Sequence, residues 1–441
     1  MLAVECGNVG RTSDSVHALH NEQDKAIVAI IDVLTLLIGR KDVQAASDYI
    51  VKSICNCIAI GFRIILTKAN IGDRVKEIFA GTYGSQDLGL LRVGLYLADL
   101  LLSEVMINSH NIGYFNYCTL INEFSNQNIV HTIFDHTYNV LMQYLYRYVN
   151  IDPTCGNALQ GMLEVMFKLL IFPFENSFIT FSTDLDLSEH STCILPHSWS
   201  ERVFSIKFLE LLLGVAVFPN ALEGVRVEAL KVLSMLGACR LDSNITPEQQ
   251  SQYMCFQMLV PVHMINFYTS MKRQPSKETI EPIVDLIGRL MRNFRIFKMS
   301  KLKEEFCKLL ETMVLLSKIV FMSFPELDNR TLSSLLKVWG ILVDQYTYVD
   351  YGIMEYMESF FQAYLEVYFG NNDKLWVLNL SEELNPEYIE KMISKRFRTL
   401  REVFTLKKEN LIEPLRDMGA TNWNGTTWFD RTNYFQTRSE E

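Results

Sequence analysis

A near-continuous succession of helical patterns, broken by one long polar loop, limits most strongly what this chain can fold into. Apolar residues recur at helical spacing from Asn21 onward, in about a dozen segments with short links, and the pattern stops at residues 172–198. Proline (11) and glycine (21) are scarce among the 441 residues, whereas a β-sandwich needs turn residues at short intervals. The sequence therefore predicts an all-α protein and indicates no strand.

The apolar patterns also place the individual helices. Pro386 opens the clearest stripe, in which Ile389, Ile393, Phe397, Leu400 and Phe404 follow one another. The segment 87–106 is apolar nearly all round and is expected to be covered on several sides. Further helices are predicted near residues 22–39, 43–68, 128–148, 153–171, 199–218, 221–237, 247–272, 276–297, 299–323, 327–346 and 351–369.

Many helices with short links fit either a globular bundle or an α-solenoid of stacked helix pairs. The chain length favours the solenoid, and a pair spacing of roughly 40–50 residues is typical of HEAT and armadillo repeats. We therefore predict an all-α superhelix of HEAT/armadillo-like pairs. The predicted divisions are a loose tail (1–20), helical repeats (21–171), a long acidic loop (172–198), further repeats (199–418) and a polar tail (419–441).

The charge and cysteine content indicate the setting in which the chain works. The formal net charge of −10 disfavours nucleic acid and anionic membranes and suits basic partners, although it also simply promotes solubility. The nine cysteines include no C-x-x-C pair, which fits a reducing compartment. Apolar stretches such as 204–218 are broken by Lys207 and Glu210, so no membrane insertion is expected. We expect a soluble intracellular protein.

Signatures of catalysis and of metal binding are missing from the sequence. The phosphate loop, the nucleophile elbow, the zinc-protease string and the dinucleotide-binding glycines do not occur. His131 and Asp135 lie four residues apart on one predicted helix face, but two ligands are too few for a metal site. We predict neither an enzyme nor a bound cofactor or metal.

Two charged features are candidates for partner binding. Arg289, Arg292, Arg295 and Lys298 form a basic series that either contacts an acidic partner or is a solvated ridge. The long loop carries four acidic candidates for contact with a basic partner, which are Glu175, Asp184, Asp186 and Glu189. The loop is equally explained as an insertion, because the cost of loop closure grows slowly with length.

Several strings, in order along the chain, resemble the exportin-seven (Ran-binding protein sixteen and seventeen) branch of the importin-β nuclear transport receptors. They are S-T-D at 182–184, L-P-H-S-W at 195–199, L-L-K-V-W at 335–339, Y-V at 348–349 and L-I-E-P-L at 411–415. The last string has one acidic residue where the family pattern has two. The similarity extends over about residues 45–435, and since family members are longer, we expect an amino-proximal or middle part.

The resemblance implies a HEAT-repeat superhelix that binds Ran-GTP, protein cargo and nuclear pore proteins and shuttles between cytoplasm and nucleus. It implies no covalent chemistry, since GTP hydrolysis would belong to Ran. A helical-repeat scaffold or adaptor unconnected with transport is the alternative, and an enzyme is a more distant one.

Overall fold

The computed structural model describes residues 13–66, 71–83, 87–107, 114–150, 157–175, 180–182, 192–195, 197–239, 245–293, 302–323, 329–345, 353–365, 423–428 and 431–436. These residues form sixteen helices and four short strands. In chain order they are α1 (Ser13–Ile38), α2 (Lys41–Gln44), α3 (Asp48–Ile65), α4 (Gly72–Tyr83), α5 (Leu88–Ile107), α6 (Tyr114–Asn126), α7 (Ile129–Asn150), α8 (Asn157–Glu175), β1 (Thr180–Ser182), β2 (Thr192–Ile194), α9 (His197–Val203), α10 (Ile206–Ala216), α11 (Glu223–Gly237), α12 (Pro247–Ser270), α13 (Lys277–Asn293), α14 (Lys303–Met322), α15 (Asn329–Gln345), α16 (Ile353–Leu365), β3 (Trp423–Trp428) and β4 (Arg431–Gln436).

The prediction of an all-α fold is confirmed. The long apolar patterns coincide with α3, α5, α7, α8 and α10 to α16, with ends that differ by a few residues. Helix α1 begins at Ser13, inside the segment 1–20 that was predicted to be a loose tail. Helices α2, α4 and α6 were not predicted, and the helix expected from Pro386 onward lies outside the described residues.

Alternate helices pack against each other within each of two compact units. The first unit comprises residues 1–180 and 220–228, and the second comprises 181–219 and 229–441. In the first, α1 packs on α3, α3 on α5, α5 on α8, and α4 on α7. In the second, α10 packs on α12, α12 on α14, α14 on α16, and α13 on α15. Contact between every second helix is typical of helical repeats, so each unit is consistent with an all-α helical-repeat fold.

Local sequence chemistry sets where α12 begins. The Thr246 hydroxyl accepts a hydrogen bond from the Gln249 backbone N–H, and the Gln249 side chain accepts one from the Thr246 N–H. Pro247 occupies the first helical position, where its missing N–H leaves no bond unmade. This reciprocal capping arrangement satisfies two backbone donors and determines the start of the helix.

Glutamine side chains join the links between helices in the first unit. Gln127 donates from Nε2 to the Leu66 carbonyl, while its Oε1 accepts from the backbone N–H groups of Ile71 and Gly72 at 2.8 and 3.2 Å. In the same way, the buried Gln160 accepts from the Leu222 N–H at 2.7 Å. An amide side chain both donates and accepts, so it satisfies helix-end groups of either kind.

The expectation of no strands is wrong at two places. Strands β1 and β2 pair within the predicted loop 172–198, and α8 and α9 extend into its two ends. Strands β3 and β4 pair antiparallel, with Trp423 opposite Gln436 and Trp428 opposite Arg431, inside the segment predicted to be a polar tail. Each pair is short and local, so the fold class is unchanged.

Candidate functional site

A row of polar contacts joins α3 and α5, and it is the candidate functional surface of the described part of the chain. We call it the polar ladder, and its rungs are Asp48–Arg92, Lys52–Tyr96 and Arg63–Glu104. The first residue of every rung belongs to α3 and the second to α5. Since the rungs advance in the same direction along both helices, α3 and α5 run parallel, as same-layer helices of successive pairs do.

The first rung ties the start of α3 to α5. The Arg92 guanidinium donates from Nη1 to Asp48 Oδ1 at 2.8 Å and also donates to the carbonyls of Gln44 and Ala46. It therefore binds the link between α2 and α3 as well as the carboxylate. A guanidinium suits this position because its planar fork reaches several acceptors at once.

The middle rung is a cation over an aromatic ring. Lys52 Nζ lies 4.6 Å from the centre of the Tyr96 ring, within the range of a cation–π contact. Burial raises the pKa of the Tyr96 hydroxyl, and the neighbouring Asp48 carboxylate raises it further. The tyrosine is thus a neutral hydrogen-bonding group at neutral pH, flanked by one cation and one anion.

The last rung is the least exposed of the three. Arg63 Nε lies 3.2 Å from Glu104 Oε2, and the two side chains are 25% and 15% exposed. By contrast, the Asp48 side chain is 57% exposed. A partner would therefore meet the ladder mainly at its Asp48 end, where the groups remain accessible to water.

The surface continues from α5 onto α8. Burial raises the pKa of the Asp99 carboxyl, and the Lys168 and Lys52 ammonium groups oppose that rise. Lys168 donates to Glu164 Oε1 at 2.7 Å, and this bond, together with nearby Glu228 and Asp99, raises the pKa of the Lys168 ammonium. The ladder and its extension thus carry both signs of charge, and most of these charges are paired with each other within the chain.

The acidic residues predicted from sequence do not form a described site. Glu175 is the last residue of α8, and its side chain is not among those described. Asp184, Asp186 and Glu189 lie outside the described residues, between β1 and β2. Their role in partner binding stays a prediction.

His131 and Asp135 both lie on α7, a helix as predicted. Within the described ranges, no group of three or more His, Cys, Asp or Glu side chains is arranged to hold a metal ion. The neighbouring His136 ring lies 5.9 Å from the Tyr83 ring, and burial lowers its pKa although Asp135 acts in the opposite direction.

The basic series on α13 is not a uniform solvated ridge. Arg289 turns toward α11, where Nη1 lies 3.4 Å from the Ser234 carbonyl oxygen and 2.7 Å from Met235 Sδ. Arg292 lies in the last turn of α13, and Arg295 and Lys298 lie outside the described residues. At least one member of the series therefore serves packing between helices.

Two of the strings that carry the family resemblance occupy core positions. Trp199, at the start of α9, and Trp339, on α15, are each 1% exposed. The Trp339 indole N–H donates to Ser317 Oγ at 3.0 Å, and its ring lies 4.7 Å from that of Phe360. These tryptophans support the packing of their helices and are not surface contacts.

The polar ladder itself was not predicted from sequence. Its partners lie 41 to 44 residues apart, in helices separated by α4, and no local spacing marks them. Only the stacking of the helices brings them together. The sequence offers one signal of these contacts, which is that residues able to pair occupy corresponding positions of two helices in the same layer.

Comparison with known proteins returned no matching family model and no matching curated relative. Among the described helices, none is both long and apolar enough to cross a membrane.

Proposed function

We propose that this chain is a helical-repeat nuclear transport receptor of the exportin-seven type, which binds Ran-GTP and protein cargo. The observation that carries the proposal is the stacking of alternate helices, together with family-like strings at buried positions of α9 and α15. Stacked helix pairs build extended surfaces, and such surfaces bind proteins without covalent chemistry. Shuttling between cytoplasm and nucleus and contact with nuclear pore proteins belong to the same proposal.

The proposed mechanism is coupled binding without catalysis. Ran-GTP and cargo would change each other's affinity by the same factor, because coupling between two binding sites is reciprocal. The acidic candidates Glu175, Asp184, Asp186 and Glu189 would contact a basic surface of a partner, in keeping with the net charge of −10. GTP hydrolysis would remain with Ran, so the chain needs no cofactor of its own.

Binding of the full chain to Ran loaded with GTP or with GDP tests the proposal. We expect retention of the GTP form and little retention of the GDP form, measured by pull-down and then by calorimetry. Equal retention of both forms, or of neither, contradicts the transport function.

A triple variant tests the role of the acidic loop in the same assay. Replacing Asp184→Asn, Asp186→Asn and Glu189→Gln removes three negative charges, and we expect weaker binding with a smaller dependence on salt. The matched control removes three exposed acids elsewhere, through Glu248→Gln, Glu278→Gln and Glu311→Gln, and should leave binding unchanged. Equal loss in both variants would mean that net charge alone matters.

A scaffold or adaptor unconnected with transport is the second candidate, and the polar ladder favours it. The ladder carries cations and anions with Asp48 at its more exposed end, and such a surface suits a protein partner whether or not Ran is involved. Failure to bind either form of Ran, with the helical fold intact by circular dichroism, would support this candidate.

A further inference from the structure

Arg289 bridges α13 and the last turn of α11. Its Nη1 lies 3.4 Å from the Ser234 carbonyl oxygen and 2.7 Å from Met235 Sδ, so the guanidinium donates to a backbone oxygen and to a thioether sulfur. A cation is favourable at this position because the end of a helix carries partial negative charge and carbonyls without helical partners. All three residues belong to the second compact unit.

The turn that carries Met235 is held by further hydrogen bonds. The backbone N–H groups of Ala238 and Cys239 donate to the carbonyls of Met235 and Leu236 at 2.9 and 3.1 Å. The hydroxyl of Tyr253, on α12, also donates to the Leu236 carbonyl, at 2.9 Å. The end of α11 is therefore fixed by α12 as well as by α13.

Helix α13 approaches this turn closely at Gly237. A Cβ at Gly237 would lie 2.7 Å from Leu286 Cδ1 and 3.9 Å from Arg289 Cβ. Leu286 and Arg289 are three residues apart and so share one face of α13. The missing side chain at Gly237 thus lets this face of α13 reach α11 and keeps the guanidinium beside Met235.

The sulfur of Met235 combines access with a donor that suits its oxidised form. Met235 is partly exposed, so a small peroxide can reach it, whereas Met254 and Met258 are 0% exposed. Oxidation of a methionine turns a weak acceptor into a polar sulfoxide, which disrupts packing in apolar surroundings. Beside Arg289 the new oxygen would meet a cationic donor that is already in contact with the sulfur.

We propose that Met235 is a site of reversible oxidation, at which Arg289 binds the sulfoxide oxygen and the contact between α11 and α13 becomes stronger. The proposal concerns a modification of the chain and does not depend on a transport function.

The chemistry balances with hydrogen peroxide as the oxidant. A lone pair of Met235 Sδ attacks one peroxide oxygen, so that an S–O bond forms and the O–O bond breaks. The sulfur is oxidised by two electrons and the peroxide is reduced by two. The proton of the transferred OH group passes to the departing hydroxide, which leaves as water. Methionine sulfoxide reductases reverse the change, since their thiols supply two electrons and the oxygen leaves as water.

The test combines peptide mapping by mass spectrometry with amide hydrogen exchange, on the folded full chain before and after treatment with hydrogen peroxide. We expect a sulfoxide at Met235, as well as at Met271 and Met322, which are 36% and 57% exposed. Exchange in the last turn of α11 should slow roughly three- to ten-fold, because a sulfoxide oxygen accepts the Arg289 hydrogen bond more strongly than a thioether sulfur does.

Three variants assign the effect to this contact. Met235→Leu removes the oxidisable sulfur at nearly constant volume, and peroxide should then leave exchange in α11 unchanged while Met271 and Met322 are still oxidised. In Arg289→Leu the sulfoxide loses its donor, so peroxide should speed exchange in α11. Arg289→Lys keeps a charged donor and should retain part of the slowing. Circular dichroism verifies that each variant keeps its helices.

A Met235 side chain that stays unoxidised while Met271 and Met322 are fully converted overturns the proposal. A sulfoxide at Met235 that leaves exchange in α11 unchanged, or speeds it in the natural chain, overturns it as well. Treatment with methionine sulfoxide reductase should restore the original exchange rate, and failure to restore it contradicts reversibility. If peroxide slows exchange equally in Met235→Leu, the effect belongs to another methionine and the proposal fails.

Discussion

Helices α1 and α15 are both rich in apolar residues, yet they differ in how far those residues are buried. Helix α15 packs against α13 and α14 and buries its large apolar side chains, which are Leu332, Leu335, Leu336, Val338, Trp339 and Leu342. Helix α1 packs against α2 and α3 and leaves Ile30, Val33 and Leu36 exposed.

The difference shows that the neighbours of a helix decide whether its apolar residues are buried. Among the described helices, those around α15 cover its large apolar side chains, whereas those around α1 cover Ile31 and Ile38 and leave Ile30, Val33 and Leu36 exposed. The same residue types therefore stabilise the fold in α15 and remain at the surface in α1.

The largest expected effect comes from removing the main core contact of each helix. Trp339→Ala should lower the free energy of unfolding by about 3–5 kcal/mol, because it leaves a cavity and removes the hydrogen bond to Ser317. Ile31→Ala should cost less, about 2–4 kcal/mol, and mainly loosen α1, since among the described helices α1 packs mainly on α2 and α3 and can open without the rest. Denaturant unfolding and amide hydrogen exchange measure the two effects.

Hydrogen exchange decides whether this comparison holds. In Ile31→Ala we expect faster exchange in α1 and unchanged protection in α14 to α16. Uniform acceleration over all helices would show that α1 unfolds together with the remainder of the chain, and the distinction between α1 and α15 would fail.

An intermediate effect is expected at the contact between α1 and α3. A Cβ at Gly61 would lie 2.9 Å from Ile31 Cγ1, so Gly61→Ala must displace α1 and should destabilise the protein by about 1–3 kcal/mol. Gly81→Ala is the matched control on α4, where a Cβ would have no neighbour within 4 Å. There the gain in helix propensity should stabilise by up to about 1 kcal/mol. Thermal unfolding of both variants gives the sign of each effect.

The smallest effect concerns charge in an interior helix. Helix α5 has α3 and α8 as neighbours, and burial raises the pKa of its Asp99 carboxyl above the ordinary value near 3.8. The folded state then binds the proton more tightly than the unfolded state, so stability falls as pH rises through the folded pKa. Asp99→Asn should therefore be slightly more stable than the natural chain at pH 7.

That gain should disappear below the ordinary pKa of aspartate, where the carboxyl is protonated in both states. The free energy of unfolding of Asp99→Asn and of the natural chain, measured from pH 3.5 to 7.5, tests this expectation. A variant that is less stable at pH 7 would show that the attraction of Lys168 and Lys52 for the Asp99 carboxylate outweighs its burial.

The helices that sequence predicted well are those with long, regular apolar stripes. Helix α4 was missed because it contains two glycines and four charged residues in twelve positions, and only a few apolar residues mark its buried side. Strands β3 and β4 were missed because their six-residue segments mix aromatic with Asn, Thr, Gly and Arg residues. In both cases the apolar periodicity is too weak to distinguish the segment from a polar link between helices.

The polar ladder was not predicted from the sequence, for a physical reason. It joins residues of α3 to residues of α5 that lie more than forty positions later, and a charged residue on a helix face does not indicate which residue it will pair with. The sequence predicted partner binding by Glu175, Asp184, Asp186 and Glu189 because they form an acidic loop between helices, and that role stays a prediction.

The sequence by itself determined that the chain is helical and how many apolar faces each long helix carries, because both follow from residue spacing within one turn or two. Only the tertiary structure decided which face is covered. It placed Ile31 against α3, left Val33 and Leu36 exposed, and brought Asp48 to Arg92. Such choices depend on which helices become neighbours, and that depends on the packing within each unit.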